Sequence, residues 1–206
     1  SDVVVRPFGV HVRFSAPILT EEELKMLVEA GEEEGVIEQE EKAMIHSIFD
    51  FTDTVARQVM VPRTDMDAAS VTSSLEELLD IITSTGHTRI PIYEDNIDNI
   101  IGVVHAKDLL PVLRQEKRAF NIREVMREAY FIPETKDVDE LLAEFKRGNI
   151  QMAIVRDEYG GTAGLVTLED LLEEIVGEIR DEYDVEEPLI EVIDENHAVA
   201  NARMNI

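Results

Sequence analysis

The chain repeats itself, and that repeat constrains its fold more than any single motif does. Arg57-Gln58-Val59-Met60 returns 66 residues later as Arg123-Glu124-Val125-Met126. Gly102-Val103-Val104-His105-Ala106-Lys107-Asp108-Leu109-Leu110 returns 62 residues later as Gly164-Leu165-Val166-Thr167-Leu168-Glu169-Asp170-Leu171-Leu172, with five of nine positions identical. Only a short loop deletion is needed to turn one spacing into the other. Between these anchors both copies carry an apolar helical face, Leu75, Leu78, Leu79 and Ile82 in the first and Val138, Leu141, Leu142 and Phe145 in the second. Strand patterns follow over 90–93 and 100–104, then over 152–155 and 163–166, and a closing helix ends each copy. Glu94-Asp95-Asn96 and Asp157-Glu158-Tyr159-Gly160-Gly161 supply the turns. The expected fold is α+β, two βαββα-type units. A unit of about 60 residues buries too little surface to be stable comfortably alone, so the two should pack sheet against sheet with pseudo-twofold symmetry.

The flanks differ in kind. Residues 1–53 read as a leader and an acidic helical arm. Thr20 and Glu23 form a capping-box pattern, Leu24, Leu27 and Val28 recur at helical spacing, and Gly31 is the expected stop. A second helix starts near Glu38, with Met44, Ile45, Ile48 and Phe49 on one face. The arm is either a solvated hairpin packed on the next domain or a transmitter of signals. Residues 54–118 and 119–178 hold the two repeats. Residues 179–206 begin as an acidic linker ending at Pro188, then alternate like a strand over 189–193, turn at Asp194-Glu195-Asn196 and return over 198–204. Because a lone hairpin is marginal, it is expected to open a further domain.

Composition removes several functions. Lys and Arg number 19 against 45 Asp and Glu, a net charge of −26, while 44% of residues are apolar. Such a chain folds and presents an acidic surface, so duplex nucleic acid is excluded as a partner for want of a basic stripe. The absence of Cys removes disulfides and thiolate chemistry. No apolar run approaches the ~18 residues that span a bilayer. The five His residues fall in no zinc pattern, and there is neither a Walker loop nor a Ser/His/Asp set, so an enzyme is not expected.

A tandem of such units, with a strand running into Gly-x-Val-Thr-x-x-Asp-Leu-Leu, resembles a pair of CBS domains (a Bateman module), the regulatory adenine-nucleotide sensor, over about residues 54–178. More narrowly, the stretch from Arg57 to Met66, Thr88-Arg89-Ile90-Pro91, the stretch from His105 to Asp108 and the stretch from Gly164 to Glu178 resemble the CorC/HlyC group, bacterial relatives of the cyclin M-type magnesium transporters. In that group a transmembrane domain precedes an acidic helical arm and the CBS pair, and a small C-terminal domain follows. The resemblance implies a regulatory piece of a magnesium or divalent-cation transporter on the cytoplasmic side of the membrane. It implies ATP with Mg²⁺ as ligand, a homodimer formed through the helices, and a transmembrane transport domain as the element controlled. The alternative is an assembly module whose dimerisation is independent of nucleotide.

Within that resemblance the candidate residues have definite chemistry. Thr167 and Asp170 stand where a strand gives way to a helix, and an ionised Asp is a natural acceptor for the paired hydroxyls of a ribose. The same pair also reads as a helix cap. The first copy carries His105 and Asp108 there, a poorer hydroxyl match, so that half-site is expected to be weaker or empty. Arg89 suits phosphate oxygens through paired donors, or else forms a surface ion pair. The second copy has Ile150-Gln151-Met152-Ala153 in place of Thr88-Arg89-Ile90-Pro91. The pseudo-twofold is expected to bring Thr88, Arg89 and Pro91 to Thr167 and Asp170 in one composite pocket. Pro62, Arg63 and Met66 are expected on the adenine wall, with core packing the other reading for Met66. The acidic runs read mostly as solvated surface.

Overall fold

The computed structural model describes residues 20–114, 120–177, 190–194 and 197–200. The leader, the whole acidic linker and residues 189, 195–196 and 201–204 of the expected hairpin lie outside these. The arm is a helical hairpin, α1 (Glu21–Glu33) and α2 (Gln39–Thr52). Thr20 caps α1 reciprocally with Glu23, as the sequence pattern requires. Gly31 does not end α1. The helix runs on to Glu33, and Gly35, with φ +71°, makes the turn. Gly31 instead makes room for Ile37 of the turn that leads into α2, since a Cβ there would stand 2.8 Å from Ile37 Cδ1.

A one-turn helix α3 (Ala56–Val59) leads into the short strand β1 (Val61–Pro62) and a 3-10 turn at Arg63–Asp65. The first unit follows as β2 (Ala69–Ser70), α4 (Leu75–Thr85), β3 (Arg89–Tyr93), β4 (Ile100–His105) and α5 (Ala106–Leu113). The second is β5 (Phe131–Pro133), α6 (Val138–Gly148), β6 (Met152–Arg156), β7 (Thr162–Thr167) and α7 (Leu168–Val176). Both are βαββα units. Each sheet joins a parallel pair, β2 with β3 or β5 with β6, to an antiparallel one, β3 with β4 or β6 with β7. Strands β8 (Ile190–Asp194) and β9 (His197–Ala200) form an antiparallel pair.

The two units exchange edges. Strand β1 precedes the first unit but pairs with β7 of the second, Val61 opposite Leu165. Reciprocally, Arg127, ahead of the second unit, exchanges both backbone hydrogen bonds with Val103 of β4, at 3.0 and 2.8 Å. The repeat anchors meet at these crossings. A Cβ on Gly164 would stand 2.3 Å from the Val61 carbonyl oxygen and 2.9 Å from Met60 Sδ. On Gly102 it would stand 2.8 Å from the Arg127 oxygen and 3.0 Å from Met126 Sδ. Each Met of Arg-x-Val-Met thus lies on the Gly that opens the other motif, and only glycine leaves the room.

Three apolar clusters hold the molecule. Leu78, Ile90, Ile92, Val104 and Leu109 fill the first unit. Leu141, Phe145, Val155, Val166 and Leu171 fill the second, joined by Phe51 from α2 and Ala56 from α3. Met66, Ile100, Val103, Ala129, Ile154 and Leu165 pack between the two sheets. The arm is therefore fastened to the second unit, where α2 lies against α6 and α7. Among the described residues no helix is long and apolar enough to cross a membrane.

Candidate functional site

The edge exchange opens a cleft of about 320 Å³ where β1, the start of β3 and the start of α7 converge. One wall is apolar, made by Val61, Met66, Pro91, Met152 and Leu165. The opposite end is polar, with Thr88 and Arg89 from the first unit facing Thr167 and Asp170 from the second. Six expected residues meet here: Met66, Thr88, Arg89, Pro91, Thr167 and Asp170. Met66 is also buried in the cluster between the sheets, so packing and lining are one role.

Pro62 and Arg63 are placed elsewhere. Pro62 is spent in β1, opposite Gly164, and Arg63 turns outward to pair with Asp98. Both line a separate depression with Glu134 and Asp157. The 3-10 turn that brings Asp65 and Met66 to the cleft leaves Pro62 and Arg63 outside it.

Local structure fixes the polar groups. The Asp170 N–H donates to Thr167 Oγ1 at 3.2 Å, and the Thr167 N–H donates to Asp170 Oδ2 at 2.7 Å. The cap is therefore real, and it orients the carboxylate. Asp170 Oδ1 accepts no hydrogen bond among the described residues, so the cap leaves one oxygen for a ligand hydroxyl. Arg89, the first residue of β3, is half-buried, and its guanidinium donates to Thr88 Oγ1 at 3.2 Å. No described carboxylate pairs with it, despite the acidity of the chain. His87 Nε2 lies 3.1 Å from Asp67 Oδ2 at the rim, where Asp65 and Glu169 also stand.

The pseudosymmetric position is filled by the protein itself. Arg127 donates to Asp108 through Nε to Oδ2 at 2.7 Å and through Nη2 to Oδ1 at 2.9 Å. This fork holds the Asp108 carboxyl below the usual carboxylate range. Burial, and then the nearby Arg127 and Arg89, push the His105 imidazole down. Both Asp108 oxygens thus face an internal cation, whereas Asp170 Oδ1 faces none among the described residues.

Val61, Leu165 and Met152 were not singled out by sequence reasoning. Val61 and Leu165 reach the cleft only because β1 crosses to β7. The available signal was the repeat itself, which aligns Val61 with Arg127 and so marks both as counterpart positions.

The family model for the CBS domain matches residues 56–115 and 122–177. The magnesium and cobalt efflux protein CorC of Escherichia coli (strain K12) is 41% identical over 168 residues, which cover 82% of this chain and 58% of that protein. This chain belongs to the CorC family of tandem CBS proteins. It spans little more than half the length of that CorC relative. A solved CBS domain of a bacterial CNNM/CorC family Mg²⁺ transporter is 43% identical, with a TM-score of 0.72 over 80% of this chain and 100% of that one. Another solved structure, a CBS domain of the same family in complex with ATP, is 45% identical, with a TM-score of 0.64 over 68% of this chain and 99% of that one.

Proposed function

We propose that this chain is the cytoplasmic regulatory module of a CorC-type magnesium or divalent-cation transporter, and that it binds ATP with Mg²⁺ in the composite cleft. The observation that carries this reading is Arg89: a guanidinium without a carboxylate partner among the described residues, held at the polar end of a cleft whose other wall is apolar. A flat base fits against Met66, Pro91 and Leu165. The ribose hydroxyls meet Asp170 Oδ1 and Thr167, and phosphate meets Arg89 and Thr88. The ATP complex of a 45% identical CBS domain supports the same ligand class. Mg²⁺ has no ready protein cage, because no group of three or more His, Asp or Glu among the described residues is arranged to hold a cation. The ion therefore arrives on the nucleotide phosphates.

Occupancy is read out through α7. Thr167 caps it and Asp170 stands in its first turn, and its body lies against α2 of the arm. In this reading α7 passes the state of the cleft to the arm, and the arm passes it to a membrane domain. Leu110, Leu113, Leu172 and Val176 on the closing helices stay exposed and offer an apolar face for a second copy. The same face favours a second reading, a dimerisation platform indifferent to nucleotide. Calorimetric titration with ATP, with and without Mg²⁺, decides between them: saturable heat that Mg²⁺ strengthens supports the sensor, and no binding leaves the platform.

A further inference from the structure

Thr162, at the start of β7, is the one buried polar side chain among the described residues, at 2% exposure. Its hydroxyl donates to the backbone oxygen of Asp98 at 3.1 Å, a bond from the second unit to the first. Asp98 belongs to the turn between β3 and β4, and that turn is tied down from within. The Asp98 N–H donates to Asn96 Oδ1 at 2.9 Å, and the Glu94 N–H closes the turn on the Asn99 oxygen at 3.0 Å. The Asp98 carboxylate pairs with Arg63, in the 3-10 turn that brings Met66 to the cleft. Ile97, one residue before Asp98, packs with Met66 in the cluster between the sheets. Asp98 therefore joins β7 through its carbonyl and the 3-10 turn through its carboxylate.

This clamp is built once. The repeat puts Ile100 at the position of Thr162, Gly160 at that of Asp98 and Ala129 at that of Arg63, so the counterpart has no hydroxyl, carboxylate or guanidinium. The crossing that carries the clamp, β1 on β7, is also the one that flanks the cleft. Strand β7 runs from Thr162 to Thr167, so clamp and helix cap stand at opposite ends of one strand. Resting on the nucleotide reading of the cleft, we infer that Thr162, Asp98 and Arg63 are positioning residues of that site: they hold the 3-10 turn against β7, so that the apolar wall at Met66 stands formed before a ligand arrives. None of the three lines the cleft; Arg63 and Thr162 line the separate depression. A preformed wall spares the ligand the cost of ordering it. The buried hydroxyl carries more of this than the ion pair, whose two side chains are 45% and 48% exposed and screened by water. Because the wall faces the base, its loss is felt equally by ATP and by adenosine, unlike the loss of Arg89.

The test is calorimetric titration of the full chain with ATP and with adenosine, for wild type, Asp98→Ala, Thr162→Val and Thr162→Ser, beside amide hydrogen exchange over residues 61–66 without ligand. Thr162→Val should weaken both ligands by one common factor of about fivefold or more, and Asp98→Ala by about twofold to fivefold, the scales of a buried hydrogen bond and of an exposed ion pair. Thr162→Ser, which keeps the hydroxyl, should bind like wild type. Exchange over 61–66 should quicken in Thr162→Val and Asp98→Ala. Unchanged affinities, a loss confined to ATP, or a Ser variant no better than Val would overturn the inference. Should Thr162→Val fail to fold, Asp98→Ala, altered at a half-exposed side chain, decides by the same two readouts. If wild type bound neither ligand, the reading of the cleft would fail by itself, and exchange would judge the clamp: quickening over 61–66 would support its hold on the 3-10 turn, and none would dismiss it.

Discussion

Asp170 serves two ends with one carboxylate, Oδ2 closing the start of α7 and Oδ1 turned to the cleft. Asp170→Ala should weaken ATP by about 1.5 to 3 kcal/mol, the range for a hydrogen bond to a charged group, while the fold persists. Arg89→Ala should weaken ATP but leave adenosine nearly untouched, and equal losses in calorimetry would show that Arg89 only supports the structure. His105 gives a pH dependence of defined sign. Its folded-state proton affinity lies below that of the unfolded chain, so the stability held by neutral His105 is complete above about pH 6.5 and is lost as pH falls from there toward its lowered folded value. Asp108, also shifted down, loses its contribution only at more acid pH, as its carboxylate protonates and releases Arg127. In thermal melts at pH 7.5 and 5.5, wild type should lose ground to His105→Gln, and parallel curves would refute this. Thr167 and Asp170 were legible because a cap and a hydroxyl acceptor share one local spacing. Pro62 and Arg63 were misread because nearness in sequence to Met66 says nothing of which way a 3-10 turn faces.

At the scale of elements, every long helix and strand of the repeat announced itself by its period. Strands β1, β2 and β5 did not, since two or three residues are too few to show alternation. The boundary of α1 was misjudged for a different reason: Gly31 is a packing glycine under Ile37, and sequence alone does not separate that use from a stop. The crossings of β1 with β7 and of Arg127 with β4 depend on the same kind of glycine. Gly164→Ala forces a methyl group against the Val61 carbonyl and should cost about 1 to 3 kcal/mol, the usual range for overpacking. Gly102→Ala, with its nearest contact at 2.8 Å in place of 2.3 Å, should cost less. Chemical denaturation checks the order, and a Gly164→Ala chain as stable as wild type would mean that β1 is free to shift.

For the molecule as a whole, the repeat makes the halves similar and the site makes them unequal. One ATP per chain is the expected stoichiometry, because Arg127 already occupies the counterpart of the ribose acceptor, and a value near two by calorimetry would refute this. Two chains of −26 repel each other until salt or a divalent cation screens them, the Debye length being ~10 Å at 0.1 M. Under the sensor reading, sedimentation at low salt should therefore show a dimer strengthened by ATP and Mg²⁺ together, and a dimer indifferent to both favours the platform. The crossed strands also set a timetable for the chain as it leaves the ribosome. Val103 must wait for Arg127 before its sheet edge is closed, and Val61 must wait for Leu165. The first half emerges with a bare strand edge and an unmet partner strand, and neither half can finish before the other exists, so a premature stop between the repeats yields a sticky fragment in place of a smaller working domain.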